Sequence, residues 1–313
     1  MKKISFVIPV YRNEGSLILT YESILNEIKV SLISYDYEFW FVNDGSDDGS
    51  LSELKQIREK DNKVKILDLS RNFGQVQAIT AGLHKTNGDI VISLSADLQD
   101  PVEIIPKMIS EFEIGNDIVI CNREKREDSF KAKIFAFLYY QLMKTSKFKI
   151  PEGGFDLFLL SRKACNELLK INESNRYLHA DIFWLGFAVK MIPTIRKKRT
   201  IGKSQYSFWK RLNSLLIGYF NTSYLPIRLM SVIGFAFAFF GFAYSISIFY
   251  AYLFHNTPFK GWAPIMIVTL IIGGLIMLML GVIGEYVWRI YDESKKRPYY
   301  IVKDIFDKPH EEI

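Results

Sequence analysis

The chain has 313 residues, 49% hydrophobic and 24% charged, a balance that is typical of globular proteins and excludes a disordered or fibrous chain. Its 40 Lys and Arg residues against 34 Asp and Glu residues leave a net charge of +6, too small an excess to indicate nucleic-acid binding. Two runs, 229–254 and 263–284, contain no charged residue. At about 1.5 Å of helical rise per residue, each run is long enough to cross a hydrocarbon core of about 30 Å, which excludes a purely soluble protein.

The first part of the chain alternates apolar runs, which are typical of strands, with stretches of helical periodicity. The predicted strands are 4–10, 38–42, 64–69 and 89–94. The predicted helices between them are 16–28, 51–59 and 74–84. Strands that alternate with helices favour an α/β fold with a mostly parallel sheet covered on both faces, and ligands of such sheets bind beyond the carboxyl ends of the strands.

The N-terminus and the two cysteines indicate a cytoplasmic domain. The apolar run 4–10 is short, is cut by Pro9 and soon meets Arg12, so it predicts a buried strand and not a signal peptide. Cys121 and Cys165 lack the spacing of metal ligands and predict buried, reduced thiols.

The second part of the chain predicts a membrane anchor. Segment 205–224 has apolar residues at helical spacing beside Lys210 and Arg211, which favours an amphipathic helix in the membrane interface. Basic residues flank both uncharged runs on their outer sides, whereas the loop between the runs carries only Lys260. By the positive-inside rule, both ends of the predicted hairpin are cytoplasmic. The predicted division is 1–204, a catalytic domain; 205–224, the interface helix; 225–291, a transmembrane hairpin; and 292–313, a cytoplasmic tail.

Two turns at carboxyl ends of predicted strands combine short acidic side chains with glycine or amide groups. In 43–50, a carboxylate such as Asp44 can accept hydrogen bonds from a base or ribose, although helix capping explains the same residues. In 93–101, the side-chain oxygens suit Mg²⁺ or Mn²⁺, although Asp100 ahead of Pro101 is also consistent with a helix cap. Two such turns at one end of a sheet favour a site for a nucleoside diphosphate.

Four motifs resemble, in the same order, those of family 2 glycosyltransferases. They are Pro-Val-Tyr-Arg-Asn-Glu at 9–14, Asn-Asp-Gly-Ser-Asp-Asp at 43–48, Ser-Arg-Asn-Phe-Gly at 70–74 and Ala-Asp-Leu-Gln-Asp-Pro at 96–101. The stretch 284–291 also resembles the two-helix bacterial members of the polyprenyl-phosphate branch. The resemblance implies a Rossmann-like GT-A domain, followed by an interface helix and a two-helix transmembrane hairpin.

The resemblance also implies an activity. A sugar would pass from a nucleotide-sugar donor, such as UDP-glucose or UDP-N-acetylglucosamine, to undecaprenyl phosphate with inversion at the anomeric carbon. The product would be a polyprenyl-phosphate-linked monosaccharide for cell-envelope glycans such as O-antigen. The same resemblance implies a homo-oligomeric, multi-pass protein of the inner membrane, with both termini and the catalytic domain in the cytoplasm.

Residue roles follow from the same motifs. The positions that match the nucleotide-binding residues are Pro9, Tyr11, Glu14 and Asp44. Those that match the metal-binding motif for Mg²⁺ or Mn²⁺ are Asp97 and Gln99. Those that match the grip on the acceptor phosphate are Arg123, Arg126, Arg199 and Lys203. The predicted catalytic residues are Asp156, Asp97 and Arg123, and we interpret Asp156 first as a positioning group and second as a base.

One departure from the family pattern leaves alternatives open. Ser95 stands where many relatives have Asp, so Asp97, Gln99 and the donor phosphates would supply more of the metal coordination. A catalytically silent membrane scaffold is therefore one alternative. A processive polysaccharide synthase is another, but the chain lacks the Gln-x-x-Arg-Trp motif of those enzymes. His179 is interpreted as a solvated or core histidine and is not assigned to the site.

Overall fold

The computed structural model describes residues 1–123, 154–173, 176–194, 225–254 and 263–307. The chain forms two compact units, one of Met1–Asn221 with Arg297–Ile313 and the other of Thr222–Lys296. The first unit holds a sheet and the helices that cover it, and the second unit holds two long helices.

The elements of the first unit follow the predicted alternation. The described strands are β1 (Lys3–Val10), β2 (Asp36–Asn43), β3 (Val64–Leu69), β4 (Ile90–Ser93), β5 (Ile118–Arg123), β6 (Phe158–Ser161), β7 (Val189–Thr194) and β8 (Val302–Phe306). The described helices are α1 (Leu17–Ser31), α2 (Ser50–Lys60), α3 (Gln75–Lys85), α4 (Ile105–Glu113), α5 (Arg162–Lys170) and α6 (Leu178–Trp184). The four predicted strands and three predicted helices are confirmed, with ends shifted by a few residues.

The strands form one sheet in the order β7-β5-β6-β4-β1-β2-β3-β8. β1 pairs in parallel with both β2 and β4, and β2 pairs in parallel with β3. β6 runs antiparallel to β4 and β5, and β8 runs antiparallel to β3. The predicted mostly parallel α/β sheet is therefore confirmed.

The core lies on both faces of this sheet because successive strand residues point to opposite faces. Ile4, Phe6 and Ile8 of β1 are fully buried on the face covered by α1, α2 and α4. Val7, between them, is buried on the face covered by α3, α5 and α6. Cys121 and Cys165 are buried free thiols, as predicted. A continuous apolar run is what a strand buried on both faces requires.

The tail contributes an edge strand that its sequence does not predict. The Ser70 amide donates to the carbonyl oxygen of Ile301 at 2.9 Å, just before β8 begins. Nε of Arg58 donates to the carbonyl oxygen of Phe306 at 3.1 Å, at the other end of the strand. The segment assigned to a cytoplasmic tail thus includes a strand of the main sheet.

The second unit contains α7 (Leu225–Phe254) and α8 (Ala263–Ser294). Large apolar side chains on both helices are exposed, among them Phe235 and Met277. Among the described residues, one stretch, Ile271–Ser294, is long and apolar enough to span a membrane, while the apolar stretch Val232–Tyr244 is shorter. The second transmembrane helix stays a prediction, and the predicted interface helix at 205–224 lies outside the described residues.

Candidate active site

Those predicted site residues that the structure describes lie at one edge of the sheet. β1, β2 and β4 run parallel, and β5 has the same direction because β6 is antiparallel to both β4 and β5. Their carboxyl ends therefore share an edge, and Tyr11, Asp44, Asp97 and Arg123 lie at or just beyond those ends. Asp156 belongs to the same edge because it lies two residues before the start of the oppositely directed β6.

The loop after β1 is tied to the loop after β2 by an ion pair. Nε and Nη2 of Arg12 each donate to a carboxylate oxygen of Asp47 at 2.6 Å. The Arg12 amide donates to Oγ of Ser46 at 3.1 Å. Arg12 has a φ of +53°, which is uncommon for a residue with a side chain. The bidentate ion pair holds this strained residue at the entrance of the site. The sequence pattern did not predict this ion pair.

Glu14 reinforces the contact between the same two loops. Its Oε2 accepts a hydrogen bond from the Gly49 amide at 3.0 Å. A Cβ at Gly49 would lie 2.5 Å from Oε1 of Glu14, so a larger residue at this position would displace the end of the Glu14 side chain. Glu53 of α2 accepts from the amides of Gly15 and Ile18 at 2.7 and 2.9 Å, and so caps α1 from a neighbouring helix.

Asp44 is buried, with 2% of its surface exposed, and both of its carboxylate oxygens contact the loop after β3. Oδ1 accepts from the Phe73 amide at 2.7 Å, and Oδ2 accepts from the Gly74 amide at 2.9 Å. Burial raises the pKa of Asp44, although these amides and Arg71 act in the opposite direction. Asp44 therefore has a structural contact in addition to the base or ribose contact predicted for it.

Pro9 and Tyr11 are half-buried at the end of β1. The Tyr11 amide donates to Oδ1 of Asn13 at 2.9 Å, which fixes the start of the loop. The Arg12 guanidinium lies 5.4 Å from the centroid of the Tyr11 ring. A half-buried aromatic ring at this edge can pack against a flat nucleobase.

The turn after β4 is closed by its own side chains. Oδ2 of Asp100 accepts from the amide of Ser95 at 3.1 Å and from its hydroxyl at 2.5 Å. Oδ1 of Asp97 accepts from the Gln99 amide at 3.2 Å. The sequence left open that Asp100 caps the short 3₁₀ helix Val102–Ile104, but the Asp100 carboxylate reaches back to Ser95.

The chemistry of this turn fits a hard divalent cation. Asp97 and Asp100 are 5% and 8% exposed, and Gln99 is half-buried beside them. Carboxylate and amide oxygens are the protein ligands that Mg²⁺ and Mn²⁺ prefer. In the part of the chain that the structure describes, no three or more His, Cys, Asp or Glu side chains form a metal-binding group. The side-chain oxygens of Asp97 and Gln99 are of the kind that would hold such a cation at this turn.

Two hydroxyl groups, one from the residue before α1 and one from its first turn, hold the same turn through its backbone. Oγ of Ser16 and Oγ1 of Thr20 donate to the carbonyl oxygen of Ala96 at 2.9 and 3.1 Å. Both side chains are buried. The sequence signal for this contact is weak, since two small hydroxyl residues one helical turn apart occur in many surface helices.

The predicted acceptor-phosphate residues are described only in part. Arg123 is the last residue of β5 and pairs in register with Thr194 of β7. Arg126, Arg199 and Lys203 lie outside the described residues, so their role stays a prediction.

Comparison with protein families gives the class. Residues 5–169 match the family described as Glycosyl transferase family 2. The chain belongs to this family, and its sheet is that of a GT-A domain with a mostly parallel order.

Individual relatives extend the match beyond the family domain. The uncharacterized glycosyltransferase YkcC of Bacillus subtilis (strain 168) is 37% identical over 96% of this chain and 93% of its own. The bactoprenol glucosyl transferase of Shigella phage SfV is 34% identical over 96% of this chain and 98% of its own. A prophage bactoprenol glucosyl transferase homolog of Escherichia coli (strain K12) is 33% identical over 97% and 99%. The resemblance to the polyprenyl-phosphate branch is thereby confirmed.

A solved structure shares part of the architecture. The mannosyltransferase PcManGT from Pyrobaculum calidifontis, in complex with GDP-Man and Mn²⁺, is 16% identical with a TM-score of 0.49. The alignment covers 71% of this chain and 65% of that one.

Proposed function

We propose that this protein transfers a sugar from a nucleotide sugar to the phosphate of a polyprenyl-phosphate lipid. The observation that carries the proposal is the full-length match to relatives named bactoprenol glucosyl transferase, at 33–34% identity over at least 96% of the chain. The match extends over both the glycosyltransferase domain and the candidate membrane span Ile271–Ser294, which supports a membrane-bound enzyme.

The donor would bind where the loops after β1, β2 and β4 meet. Tyr11 and Asp44, with Pro9 and Glu14, would hold the base and ribose, and Asp97 and Gln99 would lie near the diphosphate. The resemblance to the bacterial branch implies a UDP-hexose donor such as UDP-glucose or UDP-N-acetylglucosamine. When bound, Mg²⁺ or Mn²⁺ would act as a Lewis acid and template for the leaving diphosphate. The Ser95–Asp100 hydrogen bonds support this arrangement because they hold the turn around Asp97 in one conformation.

The proposed acceptor does not require a strong general base. A phosphate monoester has a second pKa of about 6, so its oxygen is already ionised near neutral pH. That oxygen would attack the anomeric carbon while the bond from this carbon to the diphosphate breaks, and the configuration would invert in the single displacement. Two anions must then be held together, which is the task we assign to Arg123, Arg126, Arg199 and Lys203. Asp156 would position the acceptor or the sugar.

The connectivity supports a membrane hairpin. The chain leaves the first unit after residue 221 and re-enters it at residue 297, and β8 pairs with β3 in the main sheet. A folded unit lies on one side of a membrane, so the segment between must cross an even number of times. If Ile271–Ser294 crosses once, the 30-residue helix Leu225–Phe254 supplies the second crossing.

The end of α8 has the composition of a membrane–water boundary. Nζ of Lys295 lies 4.9 Å from the Trp288 ring centroid and 4.3 Å from that of Tyr291. Aromatic rings beside a lysine are typical of the interface, and the basic residues that follow favour the cytoplasmic side. A homo-oligomeric, multi-pass protein of the inner membrane remains our prediction.

A donor panel tests the proposal. The purified full-length protein would be incubated with undecaprenyl phosphate, Mg²⁺ or Mn²⁺, and each of several UDP- and GDP-sugars, and release of the nucleoside diphosphate would be measured. We expect acceptor-dependent release with one UDP-hexose. Nucleotide binding without acceptor-dependent release from any donor would favour the catalytically silent scaffold instead.

A further inference from the structure

We infer that His179 is a positioning residue for Asp156, acting through a hydrogen bond to the backbone of the preceding residue. The inference rests on the proposed function, because it takes Asp156 to be near the reacting groups. His179 is outside the motifs of the family resemblance, and its sequence context gave no reason to assign it to the site.

The backbone bends at Asp156. The Phe155 side chain is buried in the cluster on the α3 face of the sheet, and the Leu157 side chain is buried in the cluster on the α1 face. In a regular strand, residues two apart point to the same face, so the chain must turn between them. Asp156, half-buried, therefore lies at a bend whose two neighbours are anchored on opposite sides of the sheet.

Each neighbour is also held through its carbonyl oxygen. The Leu157 carbonyl accepts from the Cys121 amide of β5 at 3.0 Å. The Phe155 carbonyl lies 2.6 Å from Nε2 of His179. Because a carbonyl oxygen only accepts, Nε2 carries the hydrogen in this contact. The two hydrogen bonds bracket Asp156 and fix the direction in which its side chain leaves the backbone.

The imidazole is itself packed in place. Its ring centroid lies 4.4 Å from that of Phe155, at an interplanar angle of 70°, and 5.3 Å from that of Tyr177. The edge-to-face contact with Phe155 and the tilted contact with Tyr177 restrict the orientation of the imidazole ring. His179 thus holds Phe155 both by its carbonyl oxygen and by its side chain.

The helix that carries His179 is anchored by a buried ion pair. Nε of Arg176 donates to Oδ2 of Asp181 at 3.0 Å, and the two side chains are 4% and 11% exposed. The Arg176 guanidinium also donates to Oγ1 of Thr80 at 3.4 Å and to the Leu168 carbonyl at 3.2 Å. These contacts join α6 to α3 and α5, so the helix that carries the donor nitrogen of His179 is held in place.

Three substitutions separate the hydrogen bond from the packing. His179→Gln keeps an N–H donor at a similar reach, His179→Phe keeps an aromatic ring without a donor, and His179→Ala removes both. We expect kcat to fall by about 10- to 100-fold in His179→Phe and His179→Ala, since a displacement of about 1 Å near reacting groups has effects of this size. We expect His179→Gln to retain most of the wild-type kcat.

The measurements use the full-length protein in detergent, with undecaprenyl phosphate as acceptor. Donor affinity, determined by calorimetry, should change by less than about twofold in all three variants, because the nucleotide loops are on other strands. A wild-type kcat in folded His179→Phe would overturn the inference, as would equal losses of kcat in His179→Gln and His179→Phe. If His179→Ala does not fold, the Gln and Phe variants still decide the question.

Measuring Asp156→Asn beside these variants distinguishes a failure of the inference about His179 from a failure of the proposed function. If Asp156→Asn lowers turnover and His179→Phe does not, the positioning role of His179 is wrong and the proposed function stands. If Asp156→Asn leaves turnover unchanged, the assignment of Asp156 in the proposed function is wrong, and a loss of kcat in His179→Phe would need another cause.

Discussion

Ser95 is the residue whose meaning changes most between sequence and structure. In the sequence it marks a missing carboxylate and is the only support for a catalytically silent scaffold. In the structure its amide and hydroxyl both donate to Asp100, a buried carboxylate of the same turn. Ser95 thereby closes the turn that presents Asp97, so the substitution has a structural use compatible with catalysis.

Ser95→Ala should loosen this turn while leaving the fold intact, since only the hydroxyl contact is lost and the amide still reaches Asp100. A hydrogen bond to a charged group contributes about 1.5–3 kcal/mol, so we expect roughly tenfold weaker Mn²⁺-dependent donor binding. Titration of Mn²⁺ in the presence of the nucleotide measures this change in affinity. Ser95→Thr, which keeps the hydroxyl, is the matched control, and equal affinities in wild type and Ser95→Ala would count against the role.

Asp97→Asn should abolish metal-dependent turnover, because it removes one of the two buried carboxylates of the turn. Membrane insertion should be unaffected, since Asp97 belongs to the sheet domain. The assay compares turnover over a range of Mg²⁺ and Mn²⁺ concentrations with the amount of protein in the membrane fraction. Unchanged turnover would refute the assignment of Asp97 to the metal.

At the scale of elements, a buried carboxylate on β2 joins neighbouring strands near their amino ends. Glu38 of β2 accepts from Oγ of Ser5 at 2.6 Å and from Nζ of Lys3 and of Lys65 at 2.9 Å each. Burial raises the pKa of Glu38, but these hydrogen bonds and the Asn87 amide outweigh it and lower the pKa to about 2. One side chain therefore joins the three strands β1, β2 and β3.

Glu38→Gln should lower the stability of the domain in a pH-dependent way. A carboxyl whose pKa is depressed in the folded state stabilises it above the unfolded pKa of 4.5 and loses that contribution as the pH falls toward about 2. We expect the melting temperature of the variant to lie several degrees below that of wild type at pH 7 and the difference to shrink below pH 4.5. A constant difference over this range would contradict the expectation.

The regular part of the fold could be predicted because its signals are local. Mostly apolar runs such as 4–10 and 90–94 indicate buried strands, and helical periodicity predicts the helices between the strands. β8 could not be predicted in this way, since this short segment contains two adjacent charged residues, Lys303 and Asp304, and pairs with β3, far away in the chain. Such an edge strand is specified by its partner and not by its own sequence.

In the candidate site, too, some features could be predicted from the sequence and others could not. The acidic turns could be located because each directly follows a predicted strand, and parallel strands bring their carboxyl ends together. The Arg12–Asp47 pair and the hydrogen bonds of Asp44 to Phe73 and Gly74 could not, because they depend on the register between strands. These contacts fix the loops on which the predicted nucleotide residues lie.

At the scale of the whole molecule, the proposed hairpin predicts that positions 256 and 294 are accessible from opposite sides of the membrane. A single-cysteine test is practical because both native thiols are buried, which raises the pKa of Cys165 to about 11 and that of Cys121 to about 12. In protoplasts, an impermeant maleimide should label Asn256→Cys. It should label Ser294→Cys only after permeabilisation, and the reverse pattern would contradict the hairpin.

The most direct test is transfer of radiolabelled sugar by the purified full-length protein from the donor that the panel selects. Undecaprenyl phosphate and undecaprenol would be compared as acceptors in the presence of Mn²⁺, with Asp97→Asn as the inactive control. We predict that label enters the organic phase with the phosphate lipid alone and is released by mild acid, as expected for a sugar on a phosphate. No label in the organic phase with the phosphate lipid, or equal transfer to undecaprenol, would contradict the proposed reaction.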